Sequence, residues 1–403
     1  MCKVNRFNAS MSYRKFRANQ LFTGFQLLDD QHVLITNEQG GVLQIVPLPE
    51  AGDDIAVYPG TLCPGFINCH CHLELSHMKG LIPAGTGMID FLLGVIRQRN
   101  FPKEQITQAI AEAELAMLHN GIVAVGDICN TTDTIEQKRQ GRLYYHNFIE
   151  AIGFVEATAA ERFADAKRIF EQFAGQYSLP VESNSIVPHA PYSVSAALFG
   201  LIKQFPGNHL LTMHNQESEA ENEFFVKGKG DFLRLYEELK LNISFYQPPG
   251  TSSLQYCLQH FYSNQSVILV HNCFTNEEDL AFTQHLPTGQ AGSALTTHFC
   301  LCPNANNYIG NRLPDVDLLR RYNAPIVLGT DSLASNHQLS ILEELNTIRR
   351  NFSHIPVAEL LQWATLNGAK ALELDSLLGS FEPGKQPGVL VIDDGFNTVQ
   401  RLL

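Results

Sequence analysis

The sequence predicts an α/β protein: a (β/α)8 (TIM) barrel with a small β-sandwich-like module formed by both chain ends. Three observations lead to this prediction. Short apolar runs alternate with segments of helical periodicity over most of the chain, which is typical of βα units. β-rich runs lie near both ends of the chain. No Gly-x-Gly-x-x-Gly pattern follows the first apolar run of the alternating region, which disfavours an open doubly wound sheet.

The β module is predicted from both termini. Residues 31–36 and 42–47 are β-rich, and the polar segment 37–41 between them is typical of a hairpin connection. Near the other end, residues 389–392 indicate a strand that we expect to return to this hairpin. The predicted division is therefore a β module at 1–60 plus 380–403 and a barrel at 61–379.

The barrel is predicted from the number of apolar runs and their spacing. Eight runs with intervening helices match the usual size of a closed parallel barrel, and they cover residues 62–72, 122–128, 143–149, 185–189, 210–214, 267–271, 295–302 and 326–331. The clearest helices between and after the runs are predicted at 103–119, 276–284, 341–350 and 356–372.

Composition excludes several classes of function. The formal net charge of −13 disfavours binding to nucleic acid or to an anionic membrane, because the protein's own field would repel both. Residues 1–8 lack an apolar secretory core, and the nine cysteines are scattered without a Cys-x-x-Cys pair. We therefore expect a cytoplasmic protein that acts on a small molecule, with a homodimer left open.

Side chains suited to metal binding lie at the ends of the predicted strands. His70 and His72 alternate along one strand and therefore point the same way. His214, His271 and Asp331 each end another predicted strand, at the rim where barrels of this class place their active sites. Any one of these histidines could instead be a core residue bonded to backbone, but their shared rim favours a metal site.

Glu217 is the candidate proton carrier. It follows His214 by three residues, where a carboxylate can approach the ion without binding it. A hydrolytic metal site needs such a group, because water must lose a proton and the leaving group must gain one.

Together these segments resemble the amidohydrolase superfamily, in the branch of cytosine-, guanine- and adenosine-type aminohydrolases and triazine hydrolases. The matching motifs span nearly the whole barrel: Pro64-Gly65-Phe66-Ile67-Asn68-Cys69-His70-Cys71-His72, Pro188-His189-Ala190-Pro191-Tyr192-Ser193, Met213-His214-Asn215-Gln216-Glu217-Ser218, Val270-His271-Asn272, Cys302-Pro303-Asn304 and Leu328-Gly329-Thr330-Asp331-Ser332.

The resemblance implies a role for each matching residue. His70, His72, His214 and Asp331 would hold one divalent ion beside the catalytic water, with zinc favoured and iron left open. Glu217 would move the proton, and His271 would hydrogen-bond the water or the substrate. Asp331 would also help to aim the water. Two-metal relatives carry a lysine at the end of strand four, and strand four here has none, so one metal is expected.

The substrate is predicted less sharply. The form His72-Leu73-Glu74-Leu75-Ser76 is similar to enzymes that deaminate adenine-type nucleosides such as aminodeoxyfutalosine. Glu74, His189, Glu217 and Ser332 are the implied substrate contacts. For Glu74 the alternative is a carboxylate that orients a ligand histidine, and for His189 it is packing of its own turn.

One departure from the family pattern concerns the segment after strand seven. Cys302-Pro303-Asn304-Ala305-Asn306-Asn307 stands where relatives carry Asn-x-x-Leu or a Ser-Asn pair. Two other functions therefore remain open. One is cleavage of a cyclic amide or another C–N bond without release of ammonia, and the other is a barrel that serves as a non-catalytic scaffold.

Overall fold

A computed structural model describes residues 13–174, 183–286 and 295–403. Residues 1–8, on which the expectation about a secretory signal rests, lie outside the described ranges. No helix within those ranges is long and apolar enough to cross a membrane.

The strands fall into one mixed sheet and one parallel set. The strands of the mixed sheet are β1 (Tyr13–Phe22), β2 (Leu27–Leu28), β3 (His32–Asn37), β4 (Val42–Pro47), β5 (Ala56–Cys63), β14 (Leu390–Ile392) and β15 (Val399–Arg401). The parallel strands are β6 (Phe66–Cys71), β7 (Ile122–Cys129), β8 (Tyr144–Ala151), β9 (Ser183–Pro188), β10 (Leu210–Asn215), β11 (Ser266–His271), β12 (Thr296–Leu301) and β13 (Ile326–Leu328).

Helices connect the parallel strands and follow the last of them. They are α1 (Met88–Gln98), α2 (Lys103–His119), α3 (Ile135–Lys138), α4 (Ala159–Phe173), α5 (Ala196–Gln204), α6 (Glu219–Lys227), α7 (Phe232–Glu238), α8 (Ser253–Leu258), α9 (Glu277–Gln284), α10 (Pro303–Gly310), α11 (Val316–Arg321), α12 (Ile341–Asn351), α13 (Val357–Gln362) and α14 (Gly368–Ala371). The π turn Trp363–Asn367 joins the last two into one helical segment.

The parallel strands close into the predicted barrel. β6 to β9 form one ladder and β10 to β13 another, both parallel. The His214 amide donates to the His189 carbonyl at one seam, over 2.9 Å. At the other seam, the amides of Thr330 and Asp331 donate to the His70 carbonyl, over 3.0 and 3.1 Å. Both seams are closed at the carboxyl ends of the strands, so the cylinder is tied together at the mouth that carries the site.

Both chain ends contribute to one seven-stranded sheet, ordered β15-β14-β5-β1-β3-β4 with β2 beside β1. The predicted hairpin is the antiparallel pair β3 and β4, and apolar clusters cover both faces of the sheet. The returning strand β14 pairs with β5, so β5 and β1 separate it from the hairpin that we expected it to join. The predicted boundaries between module and barrel stay a prediction.

One predicted strand is two strands in the structure. The run 62–72 contains the end of β5 and the whole of β6, with Pro64 and Gly65 between them. The Gly65 amide donates to the Pro387 carbonyl, and a Cβ at Gly65 would lie 2.3 Å from a Val123 methyl carbon. Close packing at this break, which the apolar pattern does not reveal, lets the chain pass from the mixed sheet into the barrel.

Candidate metal centre

Four side chains from the ends of three barrel strands, β6, β10 and β13, converge at one mouth of the barrel. His70, His72, His214 and Asp331 are buried, and each offers a ligand atom that lies within 4.8 Å of the others. His72 Nε2 is 3.2 Å from His214 Nε2. Asp331 Oδ1 is 3.5 Å from the Nε2 atoms of both His70 and His72. The structure therefore brings the four predicted ligands together.

The spacing of these atoms fits a divalent ion. Tetrahedral bonds of about 2.0–2.1 Å place neighbouring ligand atoms about 3.3 Å apart, and the measured separations are 3.2 and 3.5 Å. Both ring nitrogens of His70 are buried without a hydrogen-bond partner among the described residues. Buried polar atoms are rarely left unsatisfied without a reason, and a cation held by these atoms would supply one.

The protonation of the cluster also suits a cation. Burial and the neighbouring His70 lower the pKa of His72 to about 4, and burial lowers the pKa of His214 well below its usual value. His214 Nδ1 donates to the His189 carbonyl over 2.8 Å, so its Nε2 presents a lone pair to the cluster. Burial favours the neutral acid at Asp331, but the neighbouring His70 and His72 hold its pKa well below the usual range.

Glu217 and His271 lie beside the four ligands. Glu217 Oε2 is 3.5 Å from His271 Nε2, and burial, reinforced by the charges of Asp331 and Glu221, raises the pKa of Glu217 well above its usual value. Glu221 Oε1 accepts a hydrogen bond from the amide of Gln216, the residue before Glu217, over 2.9 Å. A carboxyl group that is easily protonated thus stands next to the cluster.

The tautomer of His271 is set by a residue that the sequence analysis did not single out. Asn306 Nδ2 donates to His271 Nδ1 over 2.9 Å, which leaves the ring proton on Nε2, facing Glu217. Asn306 belongs to the segment after strand seven that departs from the family pattern. Its position just beyond a strand end was the only signal in the sequence.

Three strand ends around the cluster carry unusual backbone. Gln216, His271 and Asp331 have φ values of +47°, +77° and +55°, in the left-handed region that side chains other than glycine seldom adopt. The turns at the ends of β10, β11 and β13 therefore aim these side chains at the cost of local strain.

The predicted contacts Glu74 and His189 lie next to a cavity. The cavity has a volume of about 440 Å³, and His72, Glu74 and His189 line it together with mostly apolar side chains of α1, α7 and the segment after β8. His189 Nδ1 is 2.7 Å from Glu150 Oε1. Glu150, which the sequence analysis also missed, is buried, and the histidines around it hold its pKa well below the usual range despite the opposing effect of burial.

Glu74 does not match the alternative of a carboxylate that orients a ligand histidine, because its described partners are Asn130, Thr131 and Arg99. Its Oε2 accepts hydrogen bonds from the amides of Asn130 and Thr131 and from the Thr131 hydroxyl, over 2.8–3.0 Å. Its Oε1 has no hydrogen bond among the described residues and lies 3.6 Å from an Arg99 nitrogen. The carboxylate fixes the loop after β7 through Oε2, and Oε1 forms an ion pair with Arg99. Its predicted contact with substrate stays a prediction.

Ser332 is placed deeper than a substrate contact would suggest. Its hydroxyl lies 3.1 Å from the Ser335 hydroxyl, and Ser335 in turn donates to Asp331 Oδ2. Ser332 is absent from the described lining of the cavity. The structure thus joins Ser332 to Asp331 through Ser335, and the predicted contact with substrate is left open.

A second set of potential ligands overlaps the first. Glu150, His189 and His214 also lie within 4.8 Å of one another. The atoms of these residues that face one another already make hydrogen bonds. His214 Nδ1 donates to the His189 carbonyl, and His189 Nδ1 pairs with Glu150. This arrangement agrees better with a hydrogen-bond network than with a second ion.

The similarity of this chain to known proteins covers the whole barrel. A model of the Amidohydrolase family matches residues 61–401. Aminodeoxyfutalosine deaminase of a Nitratiruptor species is 28% identical over 352 residues, which are 85% of this chain and 81% of that protein.

Two solved structures share the fold. Helicobacter pylori aminofutalosine deaminase in complex with methylthio-coformycin has a TM-score of 0.75 at 24% identity, covering 94% of this chain and 92% of that one. An adenosine deaminase from Xanthomonas campestris with bound zinc has a TM-score of 0.69 at 20% identity, covering 94% and 84%.

Proposed function

The chain belongs to the amidohydrolase family, and on that basis we propose that it is a metal-dependent deaminase that hydrolyses a C–N bond of a purine nucleoside-type substrate and releases ammonia. The observation that carries the proposal is a readily protonated carboxyl, Glu217, beside four converging ligands. Similar proteins named as deaminases of aminodeoxyfutalosine and adenosine support the choice of substrate.

The proposed metal is one zinc ion, held by His70, His72, His214 and Asp331. Three histidine nitrogens and one carboxylate are ligands that zinc accepts, and a similar adenosine deaminase structure contains zinc. The same ligands could also hold iron. Zinc in such a site acts as a Lewis acid and makes water more acidic.

Glu217 is the proposed proton carrier. It accepts the proton of the attacking water, delivers it to a ring nitrogen of the substrate, and then assists departure of ammonia. Burial raises its pKa well above the usual value, which makes it easier for Glu217 to take up a proton as well as to give one. His271 donates a hydrogen bond from Nε2, and Asp331 accepts one from the water, so that the water is aimed at the ring.

The substrate is proposed to enter through the cavity beside His72. His189 Nδ1 is paired with Glu150, which leaves Nε2 for the substrate, and Glu74 offers Oε1, the oxygen next to Arg99. The apolar walls of the 440 Å³ cavity suit a small molecule. Ser332 would contact the substrate only at the edge of this site, next to Asp331.

The proposed compartment is the cytoplasm. Eight cysteines in the described ranges are buried free thiols, which supports a reducing environment. The expectation of a possible homodimer stays a prediction.

The test is an ammonia-release assay on zinc-loaded protein with aminodeoxyfutalosine, adenosine and other aminopurine nucleosides, and with pterins, pyrimidines and triazines, together with metal analysis. Glu217→Gln should lower kcat by about 10²–10⁴-fold with unchanged zinc content, because Glu217 is not a ligand. Glu219→Gln, at an exposed position of α6, is the matched control. Turnover without ammonia, or no turnover at all, would contradict the proposal, as would full activity of Glu217→Gln.

A further inference from the structure

A buried ion pair lies beside the segment that follows His72, outside the residues that the proposed chemistry uses. Lys138 Nζ is 2.5 Å from Asp127 Oδ2, and both side chains are fully buried. Removing two charges from water costs several kcal/mol per ion, and apolar residues of similar volume often replace such pairs without loss of stability. The pair therefore calls for an explanation other than stability alone.

The contact of the second carboxylate oxygen of Asp127 suggests such an explanation. Asp127 Oδ1 accepts a hydrogen bond from the Leu73 amide over 2.9 Å, and this contact is also buried. Leu73 directly follows His72 and begins the 3-10 turn Leu73–Met78. Since β6 ends at Cys71, the Leu73 amide has left the strand ladder and depends on Asp127 as its acceptor.

Lys138 prevents the carboxylate from turning. Its ammonium also donates to Asn147 Oδ1 over 2.7 Å, and it lies over the ring faces of Tyr145 and Phe173. Asp127 is thereby held at both oxygens, by Lys138 on one side and by the Leu73 amide on the other. The position of Leu73 follows from this arrangement.

His72 has less direct support than another ligand of the cluster. The His214 ring is oriented by its own bond to the His189 carbonyl. His72 Nδ1 has no hydrogen-bond partner among the described residues, so the direction of its ring depends on the backbone that carries it. Backbone fixed immediately after His72 is therefore a substitute for an orienting bond to the ring.

We propose that Asp127 and Lys138 are a positioning pair for the metal ligand His72, acting through the Leu73 amide. The inference rests on the proposed metal site. The part that matters for the metal is the acceptor at Asp127 Oδ1, whereas Lys138 serves to keep that acceptor in place.

Two double variants separate the acceptor from the charges. Asp127→Asn/Lys138→Met removes both charges and keeps an oxygen for the Leu73 amide, whereas Asp127→Leu/Lys138→Met removes both charges and the acceptor. Neither leaves an unpaired buried charge. Zinc affinity, measured by chelator competition, should stay within about threefold of wild type in the first variant and fall about 10–100-fold in the second.

A spectroscopic readout distinguishes positioning from general damage. The visible absorption of the Co²⁺-substituted protein should match wild type in the Asn variant and change in the Leu variant. The thermal midpoints of the metal-free variants are measured as well, so that a loss of stability is distinguished from a change at the metal. Equal affinities and spectra in the two double variants would overturn the inference. If the Leu variant does not fold, a fall of more than about tenfold in the zinc affinity of folded Asp127→Asn/Lys138→Met would also overturn the inference. Failure of wild type to bind zinc would instead contradict the proposed function.

Discussion

Glu150 shows what the sequence conceals at the scale of a residue. Its partners Asn130 and His189 lie 20 and 39 positions away, so a single Glu in an apolar run gives no hint of either contact. His70 and His72 could be predicted as a pair because strand alternation is a local rule. Strand ends pointed to the candidate ligands and the family resemblance separated them from His271, whereas the contacts of Glu150, Asn306 and Asp127 required the fold.

Glu344 allows a prediction about pH at the same scale. It is fully buried, and burial raises its pKa to about 8 against the lowering effect of hydrogen bonds from Asn304 and Asn336. Its neutral form therefore favours the folded state. The contribution is fully present below the unfolded pKa of about 4.5 and is lost as pH rises through about 8.

The measurable quantity is the difference in unfolding free energy between wild type and Glu344→Gln. It should fall by about 2 kcal/mol or more between about pH 5 and about pH 9, since one pKa unit corresponds to about 1.4 kcal/mol. Denaturant unfolding at several pH values measures it, with the partly exposed neighbour Glu343→Gln as control. A difference that does not change with pH would contradict the assignment.

At the scale of elements, the ends of the barrel strands decide the site. Their alternation with helices was predictable because apolar runs and helical periodicity are both visible in the sequence. The division of 62–72 was missed because both halves are apolar, although the Pro64-Gly65 pair between them is a common signal of a turn. The pattern of apolar residues also does not predict the distances between side chains on different strands.

The seam between β6 and β13 offers a test at this scale. A Cβ at Gly329 would lie 2.8 Å from the His70 Cβ and 2.9 Å from Cys300 Sγ. Gly329→Ala should therefore lower the free energy of unfolding by about 1–3 kcal/mol. It should also weaken zinc binding, because His70 and Asp331 are forced apart. Chemical denaturation and chelator competition measure the two effects.

Gly200→Ala is the matched control. Gly200 lies in α5, and a Cβ there meets nothing within 4 Å, so this change should be neutral or stabilise by about 0.5–1 kcal/mol. Unchanged stability and zinc binding in Gly329→Ala would show that the seam is looser than the structure indicates.

At the scale of the whole molecule, strands from both chain ends are joined in one sheet and packed on the barrel. Leu390 of β14 is fully buried, and a Cβ at Gly121, between α2 and β7, would lie 2.7 Å from one of its methyl carbons. The pairing of distant chain ends could be anticipated from the β-rich runs. The order of the strands could not, since alternation is compatible with several neighbours.

Leu390→Ala should lower the free energy of unfolding by about 2–5 kcal/mol through the cavity that it leaves, without changing zinc stoichiometry. Val57→Ala in the same sheet, at a position 64% exposed, should change stability by no more than about 0.5 kcal/mol. Thermal and chemical unfolding with metal analysis test both. A change of similar size in the two variants would show that β14 contributes little to the core.

The left-handed residues at the barrel mouth bear on attempts to evolve a sturdier protein. Glycine at Gln216, His271 or Asp331 would relieve backbone that costs about 1–3 kcal/mol at each position, so a selection for heat resistance alone would favour it. At His271 and Asp331 the same exchange would delete side chains that the proposed reaction uses. At these two positions, selection for robustness and selection for catalysis should therefore drive the sequence in opposite directions.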